Sequence, residues 1–374
     1  MLLERLPSRL RLPAYLVGAV VLWRAVLFAL VFATRLRIPE TGGRKAIVAF
    51  PDHRFWDAFA RWDSGWYWKI ATQGYFLERG QSDVAFFPGF PYLARLFAPL
   101  TGDVWVAGLI VVNLCLVGSL FFLYGIARHY FDEQEARRVP LWVLMCPASF
   151  FFSAFYSEAP FFLAVCAAFY FYERDQLLPA ALFGCLAAFT RLSGVLLVPA
   201  FGVGILHRHH YRLRELSPRV LFLLIIPLGL VAVALMQQQA VGDALAFIKV
   251  QEFWGRKSMF PLWTLVVDLR RWNFDHGVQV TFDYTAVIVM FAVVAASLHR
   301  LDLAHSVFAL LSVLVPLCSG RVTSIERYSA SVIALYLMLT YATRNPQVER
   351  FVIYATSVSL ALHTVFFSSW YFAG

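Results

Sequence analysis

Apolar residues in this chain come in long unbroken runs, not in the three-four spacing of an amphipathic helix or the alternation of a strand. The first run, 12–34, is followed by others near 104–127, 139–156, 159–172, 178–206, 219–240, 283–299, 303–318, 328–343 and 350–372. A helix needs roughly 20 such residues to cross a bilayer, and runs near that length recur from end to end. The first is too long for a signal-peptide core and lacks a small-residue cleavage site, so it is expected to remain as a helix. The pattern predicts an all-α polytopic membrane protein. Between the first two runs lies a polar and aromatic stretch, 35–103, with amphipathic pieces over 47–59 and 66–76 that suit helices lying in the interface. A second aromatic and charged loop covers 241–282.

Charge then sets the topology. Only 15% of the 374 residues are charged and 60% are hydrophobic. Soluble domains average about 25% charged, so this chain cannot cover a water-facing globule. The net charge of +9 does not indicate nucleic acid, because Lys and Arg sit mainly in short connections between apolar runs. That is the positive-inside pattern, with anionic membrane lipids as the partner. Placing the connections Ala127–Arg138 and Leu206–Arg219 in the cytoplasm puts the N-terminus there too. The loops 35–103 and 241–282 then lie outside. One run resists this scheme. The stretch 178–206 begins and ends at cytoplasmic-looking turns, and TRLSG (Thr190–Gly194) interrupts it. Two short helices meeting near Arg191 resolve the conflict, with irregular backbone lining an enclosed cavity. The total becomes about eleven membrane segments, with the C-terminus outside. No internal repeat or linker divides the chain, so residues 1–374 are expected to form one membrane domain whose two external loops make its active face.

Candidate chemistry clusters in four places. In RWDSGWYWKIATQGY the carboxylate of Asp63 stands among Trp62, Trp66, Tyr67 and Trp68. Aromatics at that depth also fit an interfacial belt. An aspartate desolvated among tryptophans, however, would have a raised pKa and could accept a proton. In AFFPGFPYL two prolines around Gly89 stop a helix and fix a turn. In PASFFFSAFYSEAPF, Glu158 lies at an external junction of two apolar helices, where it either faces water or turns inward to function. The fourth is a set of cations from separate segments: Arg191, Arg256, Lys257, Arg321 and Arg327. Each alone reads as a snorkelling side chain, yet together they could converge on an anion such as phosphate.

Other motifs carry less. His207, His209 and His210 sit in the basic loop and read as solvated. His53 and Asp57 could share a helix face, but two ligands make no metal site. Cys115, Cys146, Cys166, Cys185 and Cys318 lie in apolar runs and read as free core thiols. There is no P-loop and no GxGxxG.

In order along the chain, WDSGWYWKIATQGY, AFFPGFP, CPASFFFSAFYSEAPFFL and LAAFTRLSGVLLVP resemble the PIG-V family, the GPI mannosyltransferase II enzymes and their prokaryotic relatives. The matching stretches span roughly Trp62 to Pro199, with a weaker echo at RVTSIERYSA. The resemblance implies a GT-C architecture, a polyprenyl-phosphate-mannose donor and a catalytic carboxylate in the first large external loop, here Asp63. No DxD motif follows Asp63, which leaves a divalent metal unsupported and Asp57 an unsettled partner. The expected reaction is transfer of a sugar to a hydroxyl of a glycolipid or glycan acceptor, with inversion. Asp63 would act as base, and Arg191, Arg256, Lys257, Arg321, Arg327, Glu158, Trp62, Trp66 and Tyr67 would line the substrates. The rival is a transporter or lipid flippase. Such proteins place their site at the midplane between related halves, whereas these polar residues cluster in external loops.

Overall fold

The computed structural model describes residues 7–38, 49–50, 54–76, 82–270 and 277–371, and His53 and part of the 47–59 piece lie outside that set. Every regular element among the described residues is helical. Helix α1 (Ser8–Arg37) is followed by the short α2 (Arg54–Asp57), α3 (Ser64–Gln73) and α4 (Gly89–Thr101). Then come α5 (Val104–Tyr130), α6 (Glu133–Met145), α7 (Glu158–Tyr172), α8 (Leu177–Thr190) and α9 (Leu197–Arg208). The second half holds α10 (Leu228–Val241), α11 (Ala246–Lys249), α12 (Pro261–Leu269) and α13 (Gly277–Ser297). It closes with α14 (Leu303–Leu317), α15 (Ile325–Ser329), α16 (Ile333–Ala342) and α17 (Pro346–Ser368). Five helices, beginning at Leu10, Val104, Pro218, Gln279 and Pro346, are long and apolar enough to cross a membrane, and five more apolar helices are shorter. The protein is an integral, multi-pass membrane protein.

Helix ends follow the sequence. Asp103 caps α5 by accepting from the Val106 N–H at 2.9 Å, and Asp132 caps α6 through Glu135 at 2.8 Å. Such caps satisfy amides that the first turn leaves unpaired. The apolar run 139–156 does not make one helix: α6 stops at Met145, and Pro147 starts a 3₁₀ segment, Pro147–Phe152. Proline at the start of a helical segment costs nothing there, since its missing N–H has no partner to lose.

Helices α5 and α7 run side by side in the same direction. Phe155, just before α7, packs on Trp105 at 4.7 Å between ring centroids, and Tyr170 near its end meets Phe122 at 5.2 Å. At the far end of these helices polar side chains tie the bundle together. Arg208 Nε donates to Asp302 Oδ2 at 2.7 Å, Tyr172 to Asp302 Oδ1 at 3.0 Å, and His305 shares a 2.8 Å hydrogen bond with Glu173. All are removed from the other end of α7, where Glu158 begins the helix about 22 Å away at 1.5 Å per residue.

The long run 178–206 breaks where the topology required it. Helix α8 ends at Thr190, Arg191 is extended (φ −153°, ψ 146°), and a 3₁₀ segment, Leu192–Leu196, leads into α9. Two glycines let the chain fold this tightly. A Cβ on Gly194 would lie 2.2 Å from the Ala188 nitrogen and 2.3 Å from the Ala187 carbonyl carbon. A Cβ on Gly89, the glycine of the PGF turn, would lie 2.4 Å from Thr190 Oγ1. So the PGF and TRLSG motifs meet behind Arg191.

Gly194→Ala is therefore expected to cost about 1–3 kcal/mol, the usual range for overpacking a tight interior, read as a lower thermal midpoint in detergent. Gly202→Ala, in α9 with nothing within 4 Å of its would-be Cβ, serves as the control and should match wild type. Equal midpoints for the two variants would show that the break tolerates a side chain.

Candidate active site

A cavity of about 2270 Å³ opens among α3, the break at Arg191, the segment 247–258, the 318–332 connection and the C-terminal Trp370. All five expected cations, Arg191, Arg256, Lys257, Arg321 and Arg327, line it, together with Asp63, Trp62, Trp66 and Tyr67. Glu158 does not. It is 1% exposed and lies beneath the arginines rather than facing the cavity. The reason is that α7 starts one layer deeper, at the floor on which the guanidiniums rest.

Asp63 owes its direction to a tight turn. Trp62 takes a left-handed conformation (φ 56°), costly for a bulky side chain and therefore held in place by its surroundings. The Asp63 N–H donates to the Tyr156 hydroxyl at 3.1 Å, and that hydroxyl donates to the Arg61 carbonyl at 3.2 Å. Arg61 is itself buried, paired with Asp57 at 3.3 Å, with its guanidinium 4.9 Å from the Trp370 ring. Asp57 also accepts from the Ala49 amide at 2.9 Å, so it braces the turn and is not part of the cavity lining. Asp63 stands at the start of α3, where an aspartate usually caps the helix. Here its side chain makes no capping bond. Oδ2 instead accepts from Arg327 Nη1 at 2.9 Å.

That carboxylate is not stripped of partners among tryptophans, as the sequence suggested. It is 20% exposed and ion-paired. Of the three tryptophans, Trp68 turns away and stacks on Trp105 (5.8 Å, 6°). Trp62 lies 5.6 Å from Trp370. Trp66 stacks on Phe86 at 6.1 Å and meets Trp254 edge-on at 6.2 Å, with Lys69 Nζ 5.1 Å from its ring.

Beneath Asp63 the charges alternate. Arg327 Nε lies 3.3 Å from Glu158 Oε1 without hydrogen-bond geometry. The same Glu158 oxygen accepts from Arg191 Nη1, which also donates to Ser157 Oγ at 3.2 Å. Ser157 shares a 2.8 Å hydrogen bond with the buried Tyr67 hydroxyl. Burial would lower the Arg327 guanidinium, but Glu158 and Asp63 outweigh it and hold it well above its ordinary value. Burial pushes the Tyr67 phenol up, so it stays neutral.

Tyr328 is the residue the sequence reading missed. Its hydroxyl accepts from Arg256 Nη2 at 2.8 Å, and the guanidiniums of Arg191 and Arg327 lie 5.1 Å and 5.6 Å from its ring. Burial would raise this phenol, but Arg256, Arg327 and Arg191 together pull it down to about 8. Its neighbour Arg327 was the only local signal. Arg321 Nε donates to the Gly255 carbonyl at 2.9 Å, which ties the 318–332 connection to the loop carrying Arg256 and Lys257. Cys318, expected in the core, is exposed at the end of α14 and lines the cavity. Among the described residues no group of three or more His, Cys, Asp or Glu is placed to hold a metal ion.

Known proteins place this arrangement in a family. The human GPI alpha-1,6-mannosyltransferase 2 is 29% identical over 150 residues, which cover 37% of this chain and 30% of that enzyme. The chain thus spans under a third of this curated relative. Among solved structures, the Archaeoglobus fulgidus oligosaccharyltransferase in complex with Zn and sulfate aligns with 94% of this chain and 53% of its own, at 12% identity and a TM-score of 0.49. The archaeal oligosaccharyltransferase from the same organism, in complex with an inhibitory peptide and a dolichol-phosphate, covers 96% and 56% at 11% identity and a TM-score of 0.46. The family match runs over residues 10–372, and on that span the chain belongs to the mannosyltransferase (PIG-V) family.

Proposed function

We propose that the protein is a membrane mannosyltransferase that moves mannose from a polyprenyl-phosphate donor to a hydroxyl of a lipid or glycan acceptor. Family membership supports the reaction class and lends nothing to a transporter or flippase. The observation that carries the reading is the meeting in one cavity of Asp63 with Arg191, Arg256, Lys257, Arg321 and Arg327, five cations drawn from three separate segments. Such a site suits a reaction in which a proton leaves at one point and negative charge accumulates at another. The basic connections at the far ends of the same helices support an external location for the cavity.

In this scheme the Arg327 ion pair fixes Asp63 through Oδ2, leaving Oδ1 to take the proton of the acceptor hydroxyl. The hydroxyl oxygen attacks the anomeric carbon from the face opposite the phosphate. The bond from that carbon to the phosphate oxygen breaks, and its electron pair leaves with the polyprenyl phosphate. Arg191, Arg256, Arg321, Arg327 and Lys257 stabilise the charge on the departing group, whose second negative charge develops only in the transition state. A single displacement inverts the anomeric centre.

Asp63→Asn keeps the size of the side chain and removes the base. Transfer from polyprenyl-phosphate-mannose by purified protein should fall by about 10²- to 10⁴-fold, with donor binding retained. Full activity in this variant would move the base elsewhere, and a product with retained stereochemistry would exclude the single displacement.

Tyr328 generates a pH dependence. Below its value of about 8 the phenol is neutral, and above it a phenolate sits among the cations that meet the donor phosphate. Donor KM is expected to rise about fivefold as pH passes through 8, from one like charge worth roughly 1 kcal/mol. Tyr328→Phe should abolish that rise, and an unchanged profile in the variant would assign the titration to another group.

A further inference from the structure

We propose that His363, with Glu326 and Asp283, is a positioning residue of the transfer reaction: the three clamp the short helix α15 so that Arg327 meets Asp63. The inference rests on the mannosyltransferase reading above. It begins with an oddity in the sequence, a histidine in the middle of the apolar run LALHTVF of α17. An ionisable group at such a place is costly unless it is paired, and the pairing is commonly functional.

His363 is 2% exposed, and both of its ring nitrogens are engaged. Nδ1 lies 2.7 Å from the Ser359 carbonyl, one turn back on α17, so its hydrogen is donated there. Nε2 lies 2.7 Å from Glu326 Oε2 and shares a hydrogen with that carboxylate. The Phe282 ring, 4.3 Å away, covers the imidazole. Glu326 is the second residue of α15, and Arg327 follows it. Successive residues of a helix point about 100° apart, so anchoring Glu326 towards α17 aims Arg327 at the cavity.

The other end of the clamp is Asp283 of α13. Its two oxygens accept from the Ser324 N–H at 3.3 Å and the Glu326 N–H at 3.2 Å. These are amides of the first turn of α15, which has no capping side chain of its own. Ser324 holds a left-handed conformation, φ 72°, which a non-glycine residue keeps only when its surroundings impose it. Asp283 from α13 and His363 from α17 therefore fix the backbone entry and one side chain of a five-residue helix too short to be stable alone. Arg327 is the next residue, 2.9 Å from Asp63 and 3.3 Å from Glu158. Neither His363 nor Glu326 lines the cavity, so each acts through Arg327 rather than on substrate.

The test pairs kinetics with hydrogen exchange. His363→Ala should lower kcat by about 10- to 100-fold, the usual range for residues that orient a first contact. Donor KM should stay within about twofold, because the loss falls on transition-state charge. His363→Gln, whose amide can still donate to Glu326, should recover most of the rate. In a double-mutant cycle, His363→Ala combined with Arg327→Lys should be no slower than Arg327→Lys alone. By mass spectrometry, the amides of residues 324–329 should exchange faster in His363→Ala than in wild type. Additive losses in the cycle, or amides that exchange as slowly as in wild type, would overturn the proposal. Should the wild type itself transfer no mannose, the mannosyltransferase reading falls, and the exchange measurement alone then decides whether the clamp exists.

Discussion

The alternation Asp63–Arg327–Glu158–Arg191 is the interaction on which the rest of the site depends. The Glu158 carboxylate is 1% exposed and the two guanidiniums above it only partly reach the cavity, so an unpaired charge there would cost several kcal/mol. Each ion is tolerated because its neighbour has the opposite sign. Glu158 carries the heaviest share, since it faces Arg191 and Arg327 at once and its other oxygen, Oε2, has no hydrogen-bond partner among the described residues. This makes Glu158 a counter-ion that keeps two cations together beside the cavity. Without it they would repel each other beside the cavity.

That charge chain explains the irregular backbone around it. The extended Arg191 lets α8 stop, present the guanidinium to Glu158 and restart as a 3₁₀ segment. Backbone of this kind is admissible at membrane depth only where protein or water-filled space, not lipid, surrounds it. The left-handed residues Trp62 and Ser324 do the same work on the other two sides: one turns Asp63 inward, the other starts the helix that carries Arg327.

Much of this was legible in the sequence, for physical reasons that can be named. Long apolar runs give the class because bilayer thickness is a fixed length. The break at Arg191 followed from charge bookkeeping across 178–206, and the five cations followed from their shared predicted side. What escaped was anything set by depth and direction. Glu158 was placed by its position between helices, but position along the chain does not say that α7 begins beneath the arginines. Tryptophan spacing suggested that Asp63 is enclosed by aromatics, yet Trp68 falls on the core face of α3 and Arg327 arrives from 264 residues away. No local pattern encodes a partner at that separation. Tyr328 was passed over because tyrosine is common at membrane boundaries, and only the convergence of three arginines on it sets it apart.

The distribution of restraint around the cavity has a consequence for how the site can work. Asp63 and Arg327 are tied down through Tyr156, Asp283 and His363, on segments packed into the bundle. Arg256 and Lys257 are held more lightly, on the loop after Gly255, through the phenol of Tyr328 and the backbone bond from the Lys257 amide to Ser319. The carboxylate side is thus fixed while part of the cation side can adjust. The proposed reaction would need that order, because proton removal tolerates little error in distance. An anion, by contrast, is recognised by several long side chains that can each move to meet it. In the proposed reaction, electrostatic stabilisation of a leaving phosphate would survive such movement as long as the cations remain near it, so the rigid side is the one where geometry, not charge, matters most.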